Sequence, residues 1–399
     1  MIKTKFVLTI IRITILFVML IINGLILPIP TECQPLKIDL RKLPKKVAVK
    51  LSDLGAIDVQ YIPLETTKQN VLPEIKNIVF GKSFFLIHSY ANINMFRYNG
   101  LFVTKIGKEG RGPDEITVGH DIDINPKDES IYLVDGWLQK FLVYNRDGKL
   151  MRSFKSPLKV AINFRITNDG ILCYNDNNMA RTNNSFILTD TLGKVIMNYP
   201  NTYKWQDKTN RTVGYLHENL FYRFSNQLFK KEMYSDTVFV YRNKAFKPHL
   251  IIDVGKLRIT PEARTNAPVA YIIHNFLTPQ KLFEWGDYIY YEFYFQPDGK
   301  NEGFSLIASK VNNFRVLFDP EKGLINDFDG GPNIMPQTVK DNNTLVAWIE
   351  AIQLKNYIAS ETFKNSKPKY PGKKKELEKL AKSLKETDNP VLVLVSLKK

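Results

Sequence analysis

The sequence predicts an all-β chain, a six-bladed β-propeller of four-stranded antiparallel blades, on three observations. Residues 83–100 read SFFLIHSYANINMFRYNG and residues 130–148 read SIYLVDGWLQKFLVYNRDG, near copies whose starts lie about 47 residues apart. In each copy two apolar runs lead into Asn-Gly or Asp-Gly, which supply the positive φ values of tight hairpins. A further strand-like run follows, LFVTKIG at 101–107 and KLMRSFK at 149–155. A four-strand unit recurring every ~40–50 residues marks a propeller blade, because one blade cannot bury its faces alone. Finally, the strand-like segments 57–63 and 391–397 have no partner nearby in sequence, so each needs a distant one.

The elements follow in order. Lys3, Lys5 and Arg12 precede an apolar run, Ile13–Leu27, interrupted by Thr14, Asn23 and Gly24. This is too short and broken for a membrane span and reads as an export signal or N-terminal anchor over residues 1–32. Cys33 is a lipidation candidate, although Glu32 stands where an acylated cysteine wants a small residue. Lipidation, a cleaved soluble form and an uncleaved anchor stay open. Residues 33–56 form a basic connector with Arg41, Lys42, Lys45 and Lys46 around Pro44. The propeller then occupies 57–399.

Blade-like units run over 75–107, 117–155, 160–199, about 211–252 and about 269–318. TLVAWIEAIQLKNYIAS (344–360) and KKKELEKLAKSLKE (373–386) have helical periodicity; in the second, Leu377, Leu380, Ala381 and Leu384 share one face. They give two short helices inserted at about 350–387. The terminal strands 57–63 and 391–397 complete one composite blade, which brings the count to six.

The chain has 399 residues, 44% hydrophobic, with 25 Phe and 19 Tyr, enough for a large core of half-buried strands. The formal net charge of +16 reads first as a solvated basic surface, the alternative being attraction to an anionic partner such as an acidic glycan or a membrane surface. The basic residues are dispersed and no nucleic-acid module is present, so nucleic acid is not an expected partner. Loss of the N-terminal segment leaves Cys173, in GILCYND, without a disulfide framework.

Several residues are candidate ligand contacts. Gly110-Arg111-Gly112-Pro113-Asp114-Glu115 is a tight loop between blades that either projects Arg111, Asp114 and Glu115 toward a ligand or pairs them to lock the blades. It is no phosphate loop, since it lacks Lys-Ser/Thr and leads into a strand. His120 and Asp121 stand at the entrance of the inner strand that follows, and Asp135 lies in an acidic turn. His88, His217 and His274 are further histidines, but no local spacing brings them together, so no metal site and no cofactor are expected. DFDGG at 327–331 reads as Asx-turn chemistry, because it lacks the alternating ligands of a calcium loop. Catalytic residues are not assigned: no GxSxG, paired-cysteine or Walker motif occurs.

Four motifs carry a family resemblance: YIPLETT (61–67), IGKEGRGPDE (106–115), DTVF (236–239) followed by Pro248 and DVGK (253–256), and GLINDFDGG (323–331) with the terminal DNPVLVLVSLKK. From about residue 40 onward the chain resembles the six-bladed, NHL-repeat-like propellers of Bacteroidetes, a family of unknown function. The resemblance implies an exported protein of the periplasm or outer cell surface, often a lipoprotein, and implies no reaction. The expectation is a monomeric cell-envelope binding or scaffold module, with a glycan or protein ligand on the face around the central channel. The alternative is a lyase- or hydrolase-type propeller with a polar or metal site at the channel mouth.

Overall fold

The computed structural model describes residues 35–89, 92–117, 119, 121–158, 161–208, 214–296 and 299–398. Cys33, His120 and the signal-like segment lie outside them. The propeller unit is Lys37–Lys399; its main sheets are six blades, each with an inner strand at the channel and three strands outward from it. Blade 4 carries a fifth strand, Leu36–Asp39, on its outer edge, and a small two-stranded pair, Lys108–Glu109 with Glu115–Ile116, stands apart. Blade 1 is Asn77–Phe80, Phe84–Ser89, Asn92–Arg97 and Phe102–Ile106; blade 2 is Asp121–Ile124, Ile131–Asp135, Lys140–Tyr144 and Leu150–Lys155. Blade 3 runs Ala161–Thr167, Gly170–Asn175, Asn184–Thr189 and Val195–Pro200; blade 4 runs Asn219–Phe224, Gln227–Glu232, Thr237–Arg242 and Ala245–Asp253. Blade 5 is Thr278–Trp285, Tyr288–Phe295, Glu302–Ser309 and Arg315–Phe318.

Blade 6 is the composite. Its strands from the channel outward are Thr338–Asp341, Thr344–Ile349, Val391–Leu397 and, from the other end of the chain, Ala56–Pro63. Val59 pairs with Val395 and Ile62 with Leu392, antiparallel. One helical reading is corrected here. Thr344–Ile349 is a strand, and the helix begins only at Ala351. The apolar run Leu345-Val346-Ala347 is buried between the inner strand and Val391–Leu397, and such a run cannot be assigned to helix or strand by periodicity alone. The insertion holds Ala351–Ala359, Glu361–Asn365 and Pro371–Ser383. Leu354, Ile358, Phe363, Leu377 and Ala381 form its own small core.

The connector is built into the core. Ile38, Leu40, Val49, Leu51 and Leu54 are buried in the largest apolar cluster. Leu40 N–H donates to Asp253 O (2.7 Å), Val47 N–H to Leu317 O (2.8 Å) and Leu51 N–H to Ile325 O (3.0 Å). The segment thus crosses the outer strands of blades 4 and 5 before becoming the outer strand of blade 6, satisfying edges that would otherwise stay open. Two of the resembling motifs meet at this closure: Asn326 Nδ2 donates to Tyr61 OH (3.0 Å) and to Asp329 Oδ1 (2.7 Å), which also accepts Gly331 N–H (2.8 Å).

The sequence echo has a geometric cause. Gly100, Gly148 and Gly193 occupy the third-to-outer turns of blades 1, 2 and 3 with φ of +86°, +82° and +88°. Each sits against the end of the preceding blade's outer strand. A Cβ would lie 2.1 Å from Pro63 O at Gly100, 2.7 Å from Ile106 Cδ1 at Gly148 and 2.8 Å from Phe154 Cδ2 at Gly193. Positive φ and close approach both demand glycine.

Candidate functional site

Antiparallel alternation divides the connections between two sides. Inner-to-second and third-to-outer connections form a turn side, with links as short as Ser225-Asn226 and Asn342-Asn343. Second-to-third and outer-to-next-inner connections form a loop side, which carries residues 201–208, 214–218, 254–277, 319–337 and 350–390. Between the sides runs a channel of about 2110 Å³.

Asp121-Ile122-Asp123-Ile124 shows how the wall is made. Its period of two sends Ile122 and Ile124 into the core between blades 1 and 2 and leaves the carboxylates for the channel. Asp121 accepts from Arg165 Nη1 at 2.6 Å and from Phe164 N–H at 3.0 Å. Asp123 accepts from Arg223 Nη2 at 2.7 Å and from Ile166 N–H at 2.7 Å. Inner strands of blades 2, 3 and 4 are thereby tied by two neutralised pairs. Burial raises the Asp121 pKa, and the Arg165 charge opposes the rise.

The rest of the wall is rich in carboxamides. Asn77, Asn163, Gln280 and Gln337 lie toward the loop side, and Asn168, Asn226, Asn342 and Asn343 lie at the turn side. At the turn-side mouth Lys340 of blade 6, Lys82 of blade 1 and Lys127 of blade 2 form an arc, joined by Lys398. Its carboxylates are Asp58, Asp341 and Glu129; Asp58 is paired with Lys373, and Glu129 is already held by the N–H groups of Lys82 and Ser83 (2.5 and 3.1 Å).

The structure brings one described candidate, Asp121, into the channel wall. Glu115 folds back on its own loop, accepting Gly112 N–H (2.9 Å) and pairing with Lys108 (2.9 Å). A Cβ on Gly110 would overlap its carboxylate. Lys140 Nζ secures the loop from blade 2 through Gly112 O (2.7 Å) and Pro113 O (2.8 Å). Asp135 is fully buried and accepts from Thr117 N–H (2.7 Å) and Leu138 N–H (3.0 Å). Arg111 and Asp114 are exposed and do not line the channel. His88 and His217 both line it, but from blade 1 and the approach to blade 4, on opposite sides of a sixfold ring. The His217 ring faces open channel yet is enclosed by the walls; this desolvation, with Lys281 nearby, lowers its pKa. His274 lies on the exposed helix Val269–Asn275. Among the described residues no three His, Cys, Asp or Glu side chains gather at metal-binding distance.

Sequence reasoning missed Asp123, Arg165, Arg223 and the lysine arc. Alternation in DIDI, NFRI and FYRF signals that the polar members share a face, but not that three blades place them together. It also missed the loop-side anchor. Glu218 and Arg264, each with its side chain 2% exposed, pair at 2.7 Å. Tyr174 OH (3.0 Å) and Asn177 N–H (2.6 Å) also donate to Glu218. The guanidinium lies over Trp205 at 4.3 Å and Tyr215 at 4.9 Å. One ion pair thus joins residues 176–183, the described parts 201–208 and 214–218, and residues 254–277.

A family model described as a domain of unknown function, DUF4934, matches residues 36–396. The chain belongs to that family. No curated protein matches the family member in sequence. Two solved structures share its fold. One is a Bacteroides fragilis protein classed, by inference, as exported, with 16% identity, a TM-score of 0.68, and coverage of 91% of this chain and 99% of the other. The other, a DUF4221 member from Bacteroides vulgatus, has 12% identity and a TM-score of 0.50, covering 86% and 97%. Among the described residues of this DUF4934 chain, no helix is long and apolar enough to cross a membrane.

Proposed function

We propose that this DUF4934 protein is an exported cell-envelope binding module that holds an acidic glycan in its channel. The observation that carries the reading is the composition of the wall. Carboxamides offer donors and acceptors together, which suits hydroxyl groups. The arginines are pre-aligned by buried carboxylates, and the lysine arc adds positive charge at one mouth. Export is supported by the signal-like N-terminus and by the inferred export of the Bacteroides fragilis relative.

The test is calorimetric titration with polygalacturonate and a neutral glucan at two salt concentrations. Polygalacturonate binds more tightly and weakens with salt, as exposed charge contacts do. The double variant Lys82→Glu/Lys127→Glu lowers that affinity by about 10-fold or more with an unchanged circular dichroism spectrum. Absence of binding to either polysaccharide, or an unaltered affinity in the variant, overturns the reading.

A further inference from the structure

We infer that a second sugar-binding subsite lies outside the channel, on the loop side of blade 2, with Trp137 as its platform. This goes beyond the channel reading and stands on different residues. Trp137 is 73% exposed, whereas Trp205 and Trp285 are 7% and 2% exposed. An indole so placed forgoes the burial that makes tryptophan stabilising elsewhere, and its setting is rigid. At the start of its connection the fully buried Asp135 accepts the Leu138 N–H, which holds Gly136–Gln139 in a turn, and the Thr117 N–H, which ties that turn to the segment entering blade 2.

Beside the indole is a groove of about 540 Å³, lined by Pro113, Leu138, Lys140 and Phe154 among others. Phe154 stacks on the buried Phe141 at 5.1 Å, so the floor is fixed. The Lys140 ammonium is tied to the carbonyls of Gly112 and Pro113, which leaves its stem as wall and withdraws its charge from the groove. Gln139, Ser153 and Lys155 supply polar groups around it.

This combination fits a pyranose ring, whose C–H face lies on an aromatic plane while its hydroxyls meet polar side chains at the edge. The volume is within the ~300–1,000 Å³ of small-ligand sites and takes one or two sugar units. A protein partner fits less well. Stable protein interfaces bury ~1,200–2,000 Å² around several apolar anchors, and Trp137 is the one exposed large hydrophobic side chain lining this groove.

The experiment is a tryptophan-fluorescence titration of the whole protein with a glucan hexamer, a galactan hexamer and polygalacturonate. At least one probe shifts or quenches the emission saturably. Trp137→Ala abolishes that response and weakens binding of the same probe about 10-fold or more, while the far-ultraviolet dichroism stays native. Lys82→Glu/Lys127→Glu leaves the Trp137 response intact, so failure of the channel reading and failure of this one are separable. No response to any probe, unchanged binding by Trp137→Ala, or loss of a protein partner in place of sugar binding overturns the subsite.

Discussion

On the turn side of the ring the connections are shaped by backbone, and on the loop side by buried side chains. Gly100, Gly148 and Gly193 make their turns with φ above +80° and let one blade seat on the next. Across the ring, long loops are organised by charge: Glu218 and Arg264 at the centre of three loops, with Lys231, also buried, near Asp236 and Arg258. Short turns leave little surface to vary, so the turn side can offer only what its strand ends carry, the lysines and carboxamides of the channel mouth. Long loops create surface on the other side, where the exposed Trp137 also stands, on the short Gly136–Gln139 connection. The difference predicts distinct modes of failure.

The largest effect is expected at Arg264. Arg264→Ala leaves the Glu218 carboxylate buried without its cation and empties the space between Trp205 and Tyr215. Breaking one half of a buried pair costs about 3–5 kcal/mol. Denaturant unfolding should show that loss, and hydrogen exchange should rise first in residues 176–183, 201–208, 214–218 and 254–277. Arg264→Lys should recover less than half, because an ammonium cannot serve Glu218 and Asn178 together as the guanidinium does. An Arg264→Ala protein with wild-type stability would remove side-chain charge as the organiser of the loop side.

On the turn side the expected order is set by what a methyl group would strike. Gly100→Ala meets a backbone oxygen at 2.1 Å, whereas Gly148→Ala meets the side-chain tips of Ile106 and Thr104 at 2.7 and 2.8 Å. Side chains can turn away and a paired strand cannot. Gly100→Ala should cost about 2–3 kcal/mol and Gly148→Ala about 1–2 kcal/mol by the same unfolding measurement. Equal costs would mean that the left-handed backbone alone, and not blade seating, selects glycine.

The legibility of the sequence divides along the same line. Backbone-governed features were readable: Asn-Gly and Asp-Gly marked outer turns, alternation marked strands, and two unpartnered terminal strands implied blade 6. The Asx chemistry of the DFDGG loop was readable too, because Asn326 and Asp329 bond the N–H two residues on. Features that depend on three-dimensional convergence were not. Glu218 meets Arg264 across 46 residues and Asp123 meets Arg223 across 100, and nothing local announces either. Thr344–Ile349 misled for a different reason: its strand and the following helix form one apolar stretch without a breaker between them.

The smallest effect sharpens the comparison through pH. Lys231 is buried between blades 4 and 5, with Tyr291 5.4 Å from its ammonium. Burial lowers its pKa to about 8, against opposing pulls from Asp236 and Glu232 and with Arg258 adding to the drop. In the unfolded chain a lysine titrates near 10.4. Between those values the unfolded state holds more protons than the folded one, so this residue makes stability rise with pH from about 8 to 10.4. Below pH 8 the ammonium is charged in both states and the full cost of burying it remains. Lys231→Met keeps the shape and removes that cost, so at pH 7 it should stabilise the protein by about 1–2 kcal/mol. At pH 10 the gain should largely vanish, because the native lysine is by then neutral. The Gly100→Ala and Gly148→Ala losses involve no titrating group and should stay constant over the same range. A Lys231→Met gain that persists undiminished at pH 10 would assign the effect to packing and withdraw buried charge from this part of the loop side.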